Sequence, residues 1–390
     1  MISVDEALEQ LFALVTPMRA ESVPLDKAAD RVMIRHASAL RDQPPFDASA
    51  MDGYAVRTAD VTTGTKLKVI GESAAGHGSN GAIQPNECVR IFTGAPVPEG
   101  ADRIIIQEDV TRDGDEITLG DTLDAGPYIR AQGSDFAIGD KIDAPRRLRA
   151  TDIALLASMN VAQVMVSRKP RIALISTGDE LVLPGETPGP DQIIASNTYG
   201  LKAMLEAEGA EARILPIARD NAPSLTAAFK LAQDSDMIVT IGGASVGDHD
   251  LVAGVAETMG LRQAFYKIRM RPGKPLMAGK MGDVPMVGLP GNPVSALVCG
   301  RVFLVPMLRI MQGFPGAAAP RLRASLARNI PKNGPREHYM RAVLKEGRIA
   351  PADRQDSSLL TVLVNSNALM IRPPDDGPRT AGDIMEYLPL

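Results

Sequence analysis

The chemistry of this chain gathers in short strings that follow apolar runs. Leu289-Pro290-Gly291-Asn292-Pro293 comes directly after the run at 284–287 and directly before a helix-like stretch at 294–310. A tight turn there aims backbone donors and a helix start at one point. Such a point attracts anions, because the first N–H groups of a helix lack partners and its dipole is positive at that end. Four more strings follow other apolar runs: Ser176-Thr177-Gly178-Asp179-Glu180, then Arg219-Asp220, then Gly242-Gly243 continuing through Ser245 to Asp250, then Arg271-Pro272-Gly273-Lys274-Pro275. The glycines let backbone approach a ligand closely, while Lys267, Arg271 and Lys274 supply the charge that a phosphate or small oxyanion needs. Glu180, Asp220 and Asp250 add three carboxylates. Any one of them alone reads as a helix cap or solvated turn. Together, beside phosphate-binding groups, they read as a magnesium site, because bare carboxylates would repel a phosphate. His249 is the one histidine in these strings, and no acid–base role falls to it.

The elements that must position these strings alternate. Strand-like runs occupy 171–176, 212–217, 237–241, 264–268 and 284–287, and helix-like runs occupy 197–208, 224–233, 251–259 and 294–310. That order predicts a doubly wound, mostly parallel α/β domain, in which ligands bind outside the carboxyl ends of the strands. The strings fall at those ends. Upstream, Ser3 and Glu6 make a capping box, and Val4, Ala7, Leu8, Leu11 and Val15 recur at helical spacing until Pro17. Between 66 and 141 the texture changes to short β-prone runs separated by Gly, Pro and Asp-Gly turns. Three loops stand out there, at 44–55, 92–98 and 130–135; their glycines and aromatics suggest binding more than linkage. Short β-prone runs return after 313. The expected domains are a helical, connecting N-terminal region (1–45 with 140–168), a β-rich domain (46–139), the α/β domain (169–312) and a C-terminal β domain (313–390).

At 390 residues the chain exceeds what one hydrophobic core usually organises. Its net charge of -5 and pI of 5.6 leave no basic stripe for a nucleic-acid partner, so any anion site must be local. Cys88 and Cys299 lie far apart without metal-ligand spacing and are expected to be buried. The first residues show no signal-peptide pattern and no membrane span is read, which makes a cytoplasmic location the default.

In combination the strings resemble the molybdopterin molybdenumtransferase family, which includes the C-terminal domain of gephyrin. The resemblance rests on Ser49-Ala50-Met51-Asp52-Gly53-Tyr54-Ala55, Thr93-Gly94-Ala95-Pro96, 176–180, 242–250, 271–275 and 289–293, in this order along nearly the whole chain. It implies an elongated multidomain protomer, an α/β plus β fold with a C-terminal β barrel, and a homodimer in which the partner's loop completes the site. The implied reaction joins molybdate to adenylated molybdopterin, giving molybdenum cofactor and AMP with magnesium required. Carried over by motif, Asp52, Thr93 and Asp135 are the functional positions of the β-rich part, and Glu180, Asp220, Asp250, Lys267, Arg271, Pro290 and Pro293 those of the α/β domain. In the tail, Arg336 and Ser357 or Ser358 stand where the family helps bind molybdate.

The implied reaction fits the residue types. Molybdate is a tetrahedral dianion and the adenylate carries a phosphoanhydride, so cations, backbone donors and a magnesium clamp matter more than a nucleophile. Partners implied are a molybdopterin adenylyltransferase and apo-molybdoenzymes. Two rival readings are an adenylyltransferase, because the α/β domain alone resembles that enzyme, and a non-enzymatic gephyrin-like scaffold.

Overall fold

The computed structural model describes residues 1–243 and 251–390; Ser245, His249 and Asp250 lie outside them. The chain divides into two compact units, Met1–Glu21 with Ser167–Leu390, and Ser22–Val166.

The first unit contains the α/β domain. Its elements are β1 (Arg171–Ser176), α1 (Asn197–Ala207), β2 (Glu211–Ile214), α2 (Ala222–Leu231), β3 (Met237–Ile241), α3 (Leu251–Thr258), β4 (Leu261–Lys267), β5 (Pro275–Met281), β6 (Val284–Leu289) and α4 (Pro293–Met311). The sheet order is β2-β1-β3-β6-β5-β4. The first four strands are parallel, whereas β5 runs antiparallel to both of its neighbours. Two antiparallel steps restore the direction, so β4 still ends on the same rim as the parallel strands, beside the start of β5. The sequence reading missed β5, although a signal was present. Met281 pairs with Val284 across Gly282-Asp283, a two-residue hairpin turn with Gly282 at φ 61°.

Alternate side chains of the parallel strands feed two cores, one on each face. Ile172, Leu174, Val239 and Ile241 pack with α1 and α4, and Ala173, Ile175 and Ile238 pack with α2 and α3. Burial on both faces is why these strands read as continuous apolar runs. α4 includes a π-helical turn at Gly300–Leu304. By length and composition this one helix among the described residues could cross a membrane, which the sequence reading passed over; most of it is buried as a core helix.

The N-terminal helix, Val4–Phe12, has the capping box expected from Ser3 and Glu6. Its buried face of Val4, Ala7, Leu8 and Leu11 joins the α4 side of the α/β core, where each leucine contributes about 2 kcal/mol by burial. Residues 1–21 therefore belong with the α/β unit and not with 22–45, a grouping that helical periodicity could not reveal.

The C-terminal strands are β7 (Leu322–Leu326), β8 (Glu337–Lys345), β9 (Arg348–Pro351), β10 (Ala368–Arg372) and β11 (Ile384–Pro389). They pair in the order β8-β9-β7-β11-β10, and β10 pairs back to β8, which closes a five-stranded barrel. Met270 and Arg271 add a short parallel strand beside the start of β8 and so tie the string at 271–275 to the barrel.

The second unit has two parts. Around the helix Ala150–Ser158, a small sheet buries Met33, Leu148, Leu156 and Val166. The β-rich part is a six-stranded sheet whose central members are Gly53–Val56, Glu87–Ile91 and Lys66–Ser73, with an apolar core on each face.

Candidate functional site

The chain leaves β1 for β2 on one side and then crosses to β3 on the other, so β1 and β3 flank a topological switch point. Ligands of open α/β sheets settle in the crevice outside such strand ends. Backbone bonds knit the ends together: Thr177 N–H donates to Ile241 O at 3.0 Å, Gly178 N–H to Ala218 O at 3.1 Å, and Gly242 N–H to Leu289 O at 3.1 Å. Gly242 adopts φ 95°, and a Cβ there would lie 2.6 Å from the Thr177 carbonyl oxygen. Gly243, at φ 67°, would strike Val252. Glycine is required at both positions for the β3 end to lie this close to Thr177. Ser176 and Thr177 are buried, and the Thr177 hydroxyl has no hydrogen-bond partner among the described residues.

Two of the expected metal-binding carboxylates come from neighbouring strand ends. Asp220 Oδ2 accepts from Asp179 N–H at 3.4 Å, and Asp220 N–H donates to Asp179 Oδ1 at 3.2 Å. Arg219 braces the same turn by donating to the carbonyls of Asp179 and Leu181 at 3.1 and 3.0 Å. Glu180 is exposed beside Gly178, where any Cβ would meet its carboxylate. Glu180 and Asp220 are hard oxygen donors of the type magnesium takes, and the Asp179–Asp220 bonds bring their two turns together. The described residues hold no group of three potential metal ligands, and Asp250 lies outside them.

The turn 289–293 caps α4. Pro290 is buried, Pro293 occupies the first helical position, and Asn197 Nδ2 donates to Gly291 O at 2.7 Å. Asn292 makes no cap with its side chain; its Nδ2 donates to Ser357 Oγ at 3.0 Å, and Val294 N–H donates to Ser357 O at 3.1 Å. Ser357 of the barrel domain thus sits at the start of α4. Ser358 turns away, with its hydroxyl and N–H on Asp356 Oδ1.

The string 271–275 lies against α4 from the other direction. Gly273, at φ 113°, leaves no room for a Cβ, which would be 2.5 Å from the buried Cys299 Sγ. Ile268 N–H donates to Lys274 O at 3.1 Å, holding the lysine next to the end of β4 and Lys267; Pro275 then starts β5. Arg336 reaches the Met270 carbonyl at 3.5 Å.

One residue that the sequence reading did not single out is Arg341 on β8. It is completely buried, its Nη2 donates to Asp356 O at 3.0 Å, and its Nε and Nη1 have no partner among the described residues. Burial and the nearby Arg271 guanidinium push it down to about 10, against the opposing pull of Asp356, so it remains charged at neutral pH. A buried guanidinium with two idle nitrogens is a strong anion donor. The available signal was an arginine at alternate spacing on the same side of the strand as Tyr339, which packs into the α/β core.

In the second unit the three expected loops do meet. Ser49 N–H donates to Ala95 O and Val97 N–H to Asp47 O, and Gln132 N–H reaches Asp47 Oδ1 at 2.8 Å. Asp52 Oδ1 accepts both the N–H and the hydroxyl of Thr93, each at 2.7 Å. The N–H bond, then the hydroxyl bond, hold the Asp52 carboxyl below the usual carboxylate range. Asp135 lies on the third loop, exposed, with its N–H on Gln43 O at 2.9 Å.

Comparison with known proteins matches this arrangement from end to end. The MoeA N-terminal region (domains I and II) matches residues 2–160, a probable molybdopterin-binding domain matches 173–310, and the MoeA C-terminal region (domain IV) matches 323–390. A molybdopterin molybdenumtransferase of Haemophilus influenzae is 34% identical, over 100% of this chain and 99% of its own. The chain belongs to the molybdopterin molybdenumtransferase family. Another relative of that name, from Nostoc, is 32% identical over 96% of this chain and 90% of its own. The crystal structure of a molybdopterin biosynthesis MoeA protein from Pyrococcus horikoshii superposes with TM-score 0.85 at 30% identity, covering 99% of this chain and 98% of the other. The molybdenumtransferase fold is thus present with its C-terminal barrel.

Proposed function

We propose that the chain carries out the reaction its family name describes: molybdenum from molybdate enters adenylated molybdopterin, and AMP leaves. The observation that carries this reading for the site is Arg341, a fully buried cation with two nitrogens unpartnered among the described residues and Arg271 as a neighbour. Such a charge calls for an anionic ligand. The glycine floor at 178, 242 and 243 admits the pterin phosphate, while Lys274, Arg271, Arg336 and Arg341 hold molybdate, with Ser357 orienting it at the start of α4. Lys267 adds charge at the edge of the rim, and Asp52, Thr93 and Asp135 serve as the functional positions of the β-rich part. Glu180 and Asp220 would hold magnesium, which when bound neutralises the phosphoanhydride oxygens. A homodimer, and delivery of the product to an apo-molybdoenzyme, belong to the same proposal.

The matches on both sides of residues 173–310 favour insertion over adenylation, because an adenylyltransferase needs little beyond the α/β unit. The test supplies adenylated molybdopterin, magnesium and molybdate and follows AMP release together with reactivation of an apo-molybdoenzyme. Both should require molybdate. Pyrophosphate release from ATP and molybdopterin, with no molybdate-dependent AMP, would instead identify an adenylyltransferase. Sedimentation at micromolar concentration should give twice the 41.4 kDa chain mass.

A further inference from the structure

A cavity of about 360 Å³ opens at one end of the C-terminal barrel, between the loop 328–334, the start of β8 and residues 351–355, with Arg271 at its edge. That is the lower range of small-molecule sites. Its charge is one-sided: Arg271, Arg328, Lys332 and Arg372 face it with the single carboxylate of Asp353. Two of these arginines are already committed. Arg372 is tied to Asp376 and to the carbonyls of Pro331 and Gly377, and Arg328 is paired with Asp353. Arg271 and Lys332 have no ion pair among the described residues, so their charge is available to a ligand.

His338 also lines the cavity. It is 5% exposed, and its Nε2 is buried without a hydrogen-bond partner among the described residues. On β8 it shares the inward side with Met340 and Ala342 of the barrel core, opposite to Arg341. Burial, then the guanidiniums of Arg271, Arg341, Arg336 and Arg372, push its imidazole down to about 3. It is therefore neutral at pH 7, and a neutral ring carries one N–H donor. Native proteins seldom leave such a nitrogen unmet.

We propose that the barrel mouth is a second anion site, binding a tetrahedral oxyanion, free or as a phosphate monoester, on His338 Nε2 with Arg271 and Lys332 balancing its charge. The site rests on the reading above to the extent that it shares Arg271 with the molybdate-holding set; Lys332 and His338 take no part there and distinguish it.

The test is calorimetric titration of the full chain with inorganic phosphate in molybdate-free buffer, comparing wild type, Lys332→Ala, His338→Gln and Lys274→Ala. Lys332 is exposed, so its replacement leaves folding intact. Lys332→Ala should weaken phosphate binding about tenfold through loss of a charge-assisted contact. His338→Gln should also weaken it, while Lys274→Ala, which lowers oxyanion binding only at the strand-end rim, should leave the Lys332-dependent component unchanged. Titrations with AMP and adenosine identify the source: tighter binding of AMP than of phosphate points to a monoester, and equal binding points to the free oxyanion. The proposal is overturned if wild type binds no phosphate, if adenosine binds as well as AMP, or if Lys274→Ala abolishes binding that Lys332→Ala leaves untouched. Failure in any of these ways leaves molybdate-dependent AMP release unaffected as a separate result.

Discussion

Replacing Arg341 by methionine should make the protein more stable and less able to use molybdate. The fall from an arginine's ordinary 12.5 to about 10 corresponds to about 3 kcal/mol of unfavourable surroundings for the charged form. The sign follows from a cation whose folded value is depressed: the penalty is full below about pH 10 and fades as pH rises toward the unfolded value. Methionine fills similar space without charge, but it strands the Asp356 carbonyl, which costs about 1 kcal/mol. The net expectation is a gain of about 2 kcal/mol in resistance to unfolding at pH 7. The lost function is set by the two idle nitrogens, Nε and Nη1. Charge-assisted bonds contribute about 1.5 kcal/mol each at the low end, so the molybdate concentration for half-maximal AMP release should rise about 100-fold. Urea unfolding at pH 7 and a molybdate titration of AMP release measure the two effects. A variant that loses several kcal/mol of stability while keeping its molybdate dependence would show that Arg341 is a structural residue and refute the anion argument.

Three further outcomes follow from the same geometry. Gly242→Ala forces a side chain into a positive-φ position 2.6 Å from the Thr177 carbonyl, so it should cost about 1–3 kcal/mol and weaken binding of molybdopterin, measured by fluorescence titration of the pterin. Glu180→Gln should change stability by less than about 0.5 kcal/mol yet raise the magnesium requirement for AMP release; an unchanged requirement would remove Glu180 from the metal site. Asp52 is held below the usual carboxylate range by Thr93, so its contribution to stability is present above that range and is lost as pH falls through the depressed folded value. In Thr93→Ala the Asp52 titration, followed by carboxyl NMR shifts, should move upward toward the ordinary value, and no movement would deny the Thr93 bonds their role.

What the sequence determined was local. The Ser3–Glu6 cap, the apolar strands buried on both faces, and the polar strings at their ends depend on residues a few positions apart, and among the described residues they appear where periodicity and turn chemistry put them. Even the unread β5 had its signal in Gly282-Asp283, a turn that needs only its own backbone preference. Tertiary structure decided what depends on distant partners. The amphipathic face of the N-terminal helix announces burial but not against which core, and only the fold sends Leu8 and Leu11 to α4. Choosing between Ser357 and Ser358 required Asn292, 65 residues away from Ser357 in sequence, to arrive beside one hydroxyl while Asp356 claimed the other. Arg341 and His338 differ from ordinary surface residues only in being sealed from water. That burial comes from barrel closure and from the packing of β8 on the α/β domain, and neither is written in the local pattern of a nine-residue strand.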